Sequence, residues 1–280
     1  MKNMKYFQLT VITLLSAFLS IHSLKSVAGE KTIYFGSVAM DTPAVMNQRL
    51  SPLTEYLNKV LQRPVKLKLS PNMAGAIKEV SSGSVELAYL TPVAYIRAHD
   101  RGNSQLVAKM VTKGKASFQL MIVVKQDSPI KSVEDLAGKT FAFGDPAALL
   151  QRAAVVGAGM PLNNLGKYEF IGHYDNIARG VARGIFDAGI LKDSKAFKWQ
   201  DKGLRILYST PQLPPYNIAA SSKVDSVLLK QLREAFLQLD INNPTHKTVI
   251  KSMGKKYDGF APTSDAEYDV VRKLVKPFEK

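Results

Sequence analysis

Gly83-Ser84-Val85-Glu86-Leu87-Ala88-Tyr89-Leu90 returns in chemical outline as Gly184-Ile185-Phe186-Asp187-Ala188-Gly189-Ile190-Leu191. Each stretch runs from a glycine through an apolar residue and an acid into a short apolar strand. A glycine suits the left-handed residue that ends a helix. The small residues Ala88 and Gly189 leave room for a helix to lie close on the strand. Glycine, acid and strand in that order are common in α/β proteins. Their return after about 100 residues, each time behind a strand and an amphipathic helix, argues for two similar lobes.

Working outward, the same alternation continues on both sides. Residues 31–38 (KTIYFGSV) alternate and carry β-branched side chains, which is a strand signal. Met40-Asp41-Thr42-Pro43 reads as a turn into a helix. Residues 51–61 then place Leu53, Tyr56, Leu57, Val60 and Leu61 on one face. Strands are expected at 65–69, 85–90, 106–111 and 118–124, with helices over 72–82 and from Thr91-Pro92 to His99. A second series begins with a short helix at 132–136. Strands at 139–143, 168–171, 188–191 and 204–208 follow, with helices over 147–156 and 176–183. After a turn-rich crossover at 211–215, helices are expected at 224–239, 245–253 and 265–275. Strands alternating with helices predict an α/β fold with a central mixed sheet in each lobe.

The chain start reads as an address. Lys2 and Lys5 precede an apolar stretch over 7–21, and Ser26-Val27-Ala28 puts small residues before a cut. This is the layout of a cleavable signal peptide over 1–28, too short and too interrupted for a membrane span. The expectation is export to the periplasm. There is no cysteine, so neither a disulfide nor a lipid-modified cysteine is available, and an exported chain of this kind relies on its core. The formal charge is +15, and loss of Lys2, Lys5 and Lys25 with the leader leaves +12. No run of five like charges occurs. With export expected, nucleic acid is not a predicted partner. The charge reads either as a solvated basic surface or as a field that draws in anions.

Catalytic signatures fail on inspection. Gly138-Lys139-Thr140 lacks the earlier glycine of a phosphate loop, where Val133 stands, and enters a strand instead of a helix. Gly157-Ala158-Gly159 is followed by Pro161 and Leu162 where a dinucleotide loop needs a helix and a glycine. No Gly-x-Ser-x-Gly elbow is present. Beyond the leader only His99, His173 and His246 remain, without metal spacing. No cofactor, no metal and no catalytic residue is predicted. In open α/β sheets a ligand lies beyond the carboxyl ends of the strands, where helix amino ends present free N–H groups. The candidate loops are therefore 40–43, Thr91-Pro92, 144–148 and 172–176.

Several longer stretches carry a resemblance. They are residues 36–43, 53–65 (LTEYLNKVLQRPV), 83–95 (GSVELAYLTPVAY), 127–143 (DSPIKSVEDLAGKTFAF), 172–189 (GHYDNIARGVARGIFDAG) and 210–220. On these the chain resembles the phosphate/phosphite/phosphonate-binding (PhnD-like) family of ABC-transporter solute receptors. The resemblance implies a two-lobed type II periplasmic-binding-protein (Venus flytrap) fold. It implies a discontinuous first lobe from 29–120 plus 216–280, a second lobe from 121–215, and a monomer that delivers its ligand to an ABC transporter permease.

The chain departs from the family at the ligand loops. Phosphonate-binding members place a Ser-Thr-Ser-Gly run after the strand at 139–143; here Asp145-Pro146-Ala147-Ala148-Leu149-Leu150 stands there. The hydroxyls are lost and a negative charge is added, which argues against phosphonate itself. Where members read Gly-Ser-His-Asp, this chain has Gly172-His173-Tyr174-Asp175. The expected ligand-contacting residues are Asp41, Thr42, Thr91, Tyr95, Asp145, Ala147, Ala148, His173, Tyr174 and Asp187. Each has a plainer alternative: Thr91 and Asp145 as helix caps, Tyr95 as packing, Asp187 as a loop support. Two roles stay open at this point, a transport receptor or a sensory subunit for a membrane kinase or cyclase. A periplasmic enzyme is the least favoured reading.

Overall fold

A computed structural model describes residues 31–38 and 42–279. The leader expected over 1–28 lies outside the described residues, as does Asp41. The strands are β1 (Ile33–Val38), β2 (Val65–Ser70), β3 (Leu87–Leu90), β4 (Gln105–Thr112), β5 (Leu120–Lys125), β6 (Thr140–Phe143), β7 (Lys167–Phe170), β8 (Ala188–Lys192), β9 (Leu204–Ser209), β10 (Asn217–Ala220) and β11 (Tyr257–Ala261). The helices are α1 (Pro43–Leu61), α2 (Met73–Ser82), α3 (Pro92–Gly102), α4 (Leu149–Gly157), α5 (Tyr174–Ala182), α6 (Asp193–Gln200), α7 (Ser226–Leu237), α8 (Pro244–Met253) and α9 (Asp269–Val275).

Two sheets carry the fold. One has the order β11-β4-β10-β3-β1-β2, the other β7-β6-β8-β5-β9. In the first, β1 runs parallel to β2 and β3, and β10 is antiparallel to β3 and β4. In the second, β6 runs parallel to β7 and β8, and β5 is antiparallel to β8 and β9. Setting β2-β1-β3-β10-β4 beside β7-β6-β8-β5-β9 makes the two orders superimpose. Even the register irregularity recurs, between Ile218 and Ala219 in β10 and between Ile122 and Val123 in β5. The repeated octapeptides thus end in β3 and β8, the equivalent central parallel strands. Gly83 and Gly184 both take positive φ, 74° and 72°. At Gly189 a Cβ would come within 2.5 Å of Ile177 Cγ2 on α5, so only glycine lets that helix sit down on β8.

Helix α1 begins at Pro43, well before the amphipathic run that marks it in sequence, and passes through Pro52. Proline denies Gln48 its helical N–H partner, and the Ser51 hydroxyl donates to that carbonyl at 3.0 Å. Met46, Leu50, Leu53, Leu57 and Leu61 form its buried stripe, worth roughly 1.5–3 kcal/mol per side chain. Strands β10 and β11 and helix α6 were not anticipated from the sequence. β10 is four residues of Asn-Ile-Ala-Ala, β11 is interrupted at Gly259, where its register with β4 shifts, and α6 is strongly polar. Their positions are set by sheet pairing and by packing against neighbours, not by local periodicity.

The chain crosses between the sheets through residues 113–119 and 210–216. These segments pair with each other: Phe118 and Leu213 exchange both backbone hydrogen bonds, at 3.0 and 2.8 Å. Thr210 Oγ1 accepts the Leu120 amide, and the Gln119 side chain donates to the Thr210 carbonyl at 2.6 Å. The final helix α9 packs against both α3 and α4, so one buried cluster runs from Tyr95 through Tyr268 and Val271 to Ala153 and Ala154.

Candidate ligand-binding cleft

Parallel strands put their carboxyl ends on one side of each sheet, and groups at those ends act on one another across the two sheets: Lys256 on Lys192, Asp145 on Tyr216 and Tyr216 on Tyr174. From the first sheet come Tyr89 near the end of β3, Tyr216 just before β10 and Tyr257 at the start of β11. From the second come Lys192 at the end of β8, and the loops 144–148 and 172–174.

Three tyrosines form the wall on the first sheet. Tyr216 stacks on Tyr89 with centroids 5.1 Å apart and 28° between planes. The Tyr89 and Tyr257 hydroxyls meet at 2.5 Å. Burial pushes the Tyr89 hydroxyl well above its ordinary pKa, with Tyr257 and Tyr216 adding and Arg49 opposing. Tyr257 is raised to about 12, chiefly by burial. Arg49, on α1, acts on both hydroxyls and has a buried Nε without a hydrogen-bond partner. Tyr216 keeps 37 % of its surface exposed, and Lys256 holds its ammonium 6.0 Å from that ring and 5.1 Å from the Tyr257 ring. On the opposite side Lys192 stands 4.9 Å over Phe118. Both lysines are pulled below their ordinary pKa by desolvation, and Lys256 adds to the effect on Lys192.

The loop after β6 is closed on itself. Asp145 Oδ1 accepts the Ala147 amide at 2.7 Å. The Asp145 carbonyl takes the Ala148 amide, and Ala147 takes that of Leu149. Gln151 Oε1 accepts the Gly144 amide at 2.8 Å. The Gly144, Ala147, Ala148 and Leu149 amides are therefore paired within the loop and the first turn of the helix that follows. The helix itself starts at Leu149, two residues later than expected, because this turn precedes it.

The expected site residues fall into different places. Asp145 lies within electrostatic reach of Tyr216, raising its pKa after the larger effect of burial. The Gln151 side chain donates to the Tyr174 hydroxyl at 3.4 Å; burial raises that hydroxyl's pKa, the Gln151 bond opposes this, and Tyr216 and Asp193 add to it. His173 is exposed at the start of α5 with no cap bond from its side chain. Thr91 caps α3 by accepting the Ala94 amide at 3.1 Å. Thr42 is exposed and gives its carbonyl to Met46. Ala147 and Ala148 have no amide left to offer. Tyr95 is 1 % exposed and donates to Asp265 at 2.7 Å, so its hydroxyl is spent in the core. Asp187 accepts from the Thr140 amide and hydroxyl, both at 2.8 Å, at the amino ends of β6 and β8. It stands at the end of the sheet away from the cleft, where the acid of the repeat supports a neighbouring strand. Glu86 in the first copy likewise accepts the Tyr34 amide.

Arg49 on α1 and Tyr89, Lys192, Tyr216, Tyr257 and Lys256, which stand at these strand ends, were not singled out in the sequence. Tyr89 and Lys192 had a signal, since each ends a predicted parallel strand. Tyr216 and Tyr257 flank strands that are themselves silent.

A family model described as the periplasmic substrate-binding protein of a phosphonate ABC transporter matches residues 35–268. The chain belongs to this family. Among its relatives, a phosphonates-binding periplasmic protein of Escherichia coli is 24% identical, covering 92% of this chain and 82% of the relative. A phosphate-import protein of Mycolicibacterium smegmatis is also 24% identical, over 86% and 84%. Among solved structures, a Xanthomonas citri protein bound to ATP superposes with a TM-score of 0.71 at 19% identity, covering 88% of this chain and 96% of that one. A Prochlorococcus marinus protein in complex with methylphosphonate gives 0.66 at 20%, covering 89% and 98%. The fold is the two-lobed type II periplasmic-binding-protein fold, and the protein is a solute-binding protein of the ABC-transporter class. The family's members bind substrate and hand it on; they are periplasmic binding proteins, not enzymes. The sensory alternative finds no support among these relatives.

Proposed function

We propose that this protein, freed of residues 1–28 by cleavage after Ala28, works in the periplasm as a monomeric receptor for a small organic anion. It closes its lobes on the ligand and presents it to a permease. The supporting observation is the pair of lysines, one from each sheet, set among exposed tyrosine in the space the carboxyl ends of the strands share. Helix starts hold a tetrahedral oxyanion through N–H groups, and here the Gly144, Ala147 and Ala148 amides of the loop are already paired with protein acceptors. That argues against phosphonate, phosphite or phosphate as the cognate solute. The ligands named for relatives do not transfer across this loop.

The test is a thermal-shift and calorimetric screen of oxyanions, alkylphosphonates and organic anions, followed by small-angle scattering with each binder. A ligand that binds the native state alone raises Tm by mass action, and closure lowers the radius of gyration. An alkylphosphonate that binds more tightly than every organic anion refutes the reading of the loop. Binders that leave the radius unchanged refute the cleft.

A further inference from the structure

The cleft carries a more specific statement, which rests on the reading of that space as the ligand site. We propose that the ligand is a planar organic carboxylate, its acidic group held between Lys192 and Lys256 and its ring laid against Tyr216.

Neither lysine has an acid partner among the described residues. The adjacent Asp193 makes no ion pair with Lys192: Oδ2 accepts the Gln119 amide at 3.1 Å and Oδ1 the Ser194 amide at 2.6 Å, and its charge offsets only part of the lowering of Lys192. Both ammonium groups rest instead against aromatic rings, an interaction that holds a cation in place without neutralising it. They belong to different sheets, so their mutual repulsion opposes approach of the lobes, and an anion placed between them reverses its sign. A carboxylate has the two oxygens needed to take one lysine each.

The rest of the cleft selects the body of the ligand. Tyr216 is fixed from behind by Tyr89, which is fixed by Tyr257, yet it remains 37 % exposed. A rigid exposed ring is a stacking platform for a flat molecule, since offset-stacked rings attract beyond their area burial. Asp145 acts electrostatically on this ring, which disfavours a second acidic group near it and favours a hydrogen-bond donor.

The probes are 4-aminobenzoate, benzoate, cyclohexanecarboxylate and methylphosphonate, titrated by calorimetry into the wild type and into Lys192→Met, Lys256→Met and Tyr216→Leu. Expected are binding of both aromatic acids, at least tenfold weaker binding of cyclohexanecarboxylate, and a loss of at least tenfold in either lysine variant. Tyr216→Leu should erase the preference for the flat acids while its unliganded Tm stays within a few degrees of wild type. Failure of both aromatic acids to bind, or equal binding to wild type and the lysine variants, overturns the proposal. If other solutes still close the lobes in scattering, the receptor reading survives and only the ligand class falls.

Discussion

Gln151 Oε1 takes the Gly144 amide at 2.8 Å, so a side chain from the first turn of α4 ties down the end of β6. Gln151 is only 6 % exposed, and the amide it serves is buried. Gln151→Leu keeps the volume and removes the acceptor. Leaving a buried donor unmade costs about 1–3 kcal/mol, and urea unfolding should read a loss of that size. An unchanged midpoint would mean that the loop finds another acceptor.

Asp145 closes the same loop from the other side and brings a charge to it. Asp145→Asn keeps the Oδ1 acceptor for Ala147 and deletes the charge. For an anion at roughly 5 Å, one unit charge in water is worth ~0.8 kcal/mol, or about fourfold in affinity. Methylphosphonate and phosphate should each gain about that factor by calorimetry, while Tm moves little. No gain for any anion would place Asp145 away from bound ligand.

Much of the fold is legible because each lobe repeats one pattern. β1, β3, β6 and β8 are apolar, β2 alternates apolar with lysine and β7 alternates charged with aromatic residues; each is followed by a helix, and periodicity finds them. β10 and β11 are not legible: Asn217 to Ala220 has neither alternation nor branched bulk beyond Ile218, and its place between β3 and β4 is fixed by pairing with strands more than a hundred residues earlier. The site suffers from the same blindness. Loops named from strand ends put Tyr174 and Asp145 near Tyr216, but Tyr216 itself rides on β10. Asp187 was drawn in by its place in a repeat, and a repeat preserves supports as readily as contacts. Tyr95 sits one turn into α3, where only the tertiary fold reveals that Asp265, just before α9, occupies its hydroxyl.

The contact of Asp265 with Tyr95 and Arg272 has a pH dependence. Asp265 is raised by burial, but hydrogen bonds from Arg272 and Tyr95 and the charges of Arg272 and His99 outweigh this and hold it below its ordinary value. Arg272 Nη2 lies 2.6 Å from Oδ1. A carboxyl depressed in the folded state contributes stability above its unfolded pKa, near 4, and loses it as pH falls through the folded value. The stability difference between wild type and Asp265→Asn should therefore be constant from pH 7 to about 5 and shrink below about 4. The carboxylate is 44 % exposed, so solvent screening keeps the difference small. A difference that grows on acidification would reverse the assignment.

Helix α9 reaches the second lobe where α4 ends. A Cβ built on Gly157 would lie 2.4 Å from Leu274 Cδ2, so the two helices meet with no space for a methyl group. Gly157→Ala makes the half-buried Leu274 side chain swing aside, a cost that alanine's better helix propensity, about 1 kcal/mol, largely offsets. Leu274→Ala opens the same gap from the other side and loses the contact. Together the substitutions should cost less than their sum, since the new methyl enters the vacated space; contacting residues couple by about 0.5–3 kcal/mol. Urea unfolding of the four proteins closes the cycle. The consequence for binding follows from position: α9 also packs on α3, whose first residue follows β3 in the other lobe. Loosening α9 from α4 removes a brace between the lobes without touching the cleft, so Gly157→Ala should widen the unliganded particle in scattering and leave the liganded radius as it is. Additive energies, or equal radii in both states, would confine the Gly157–Leu274 contact to local packing.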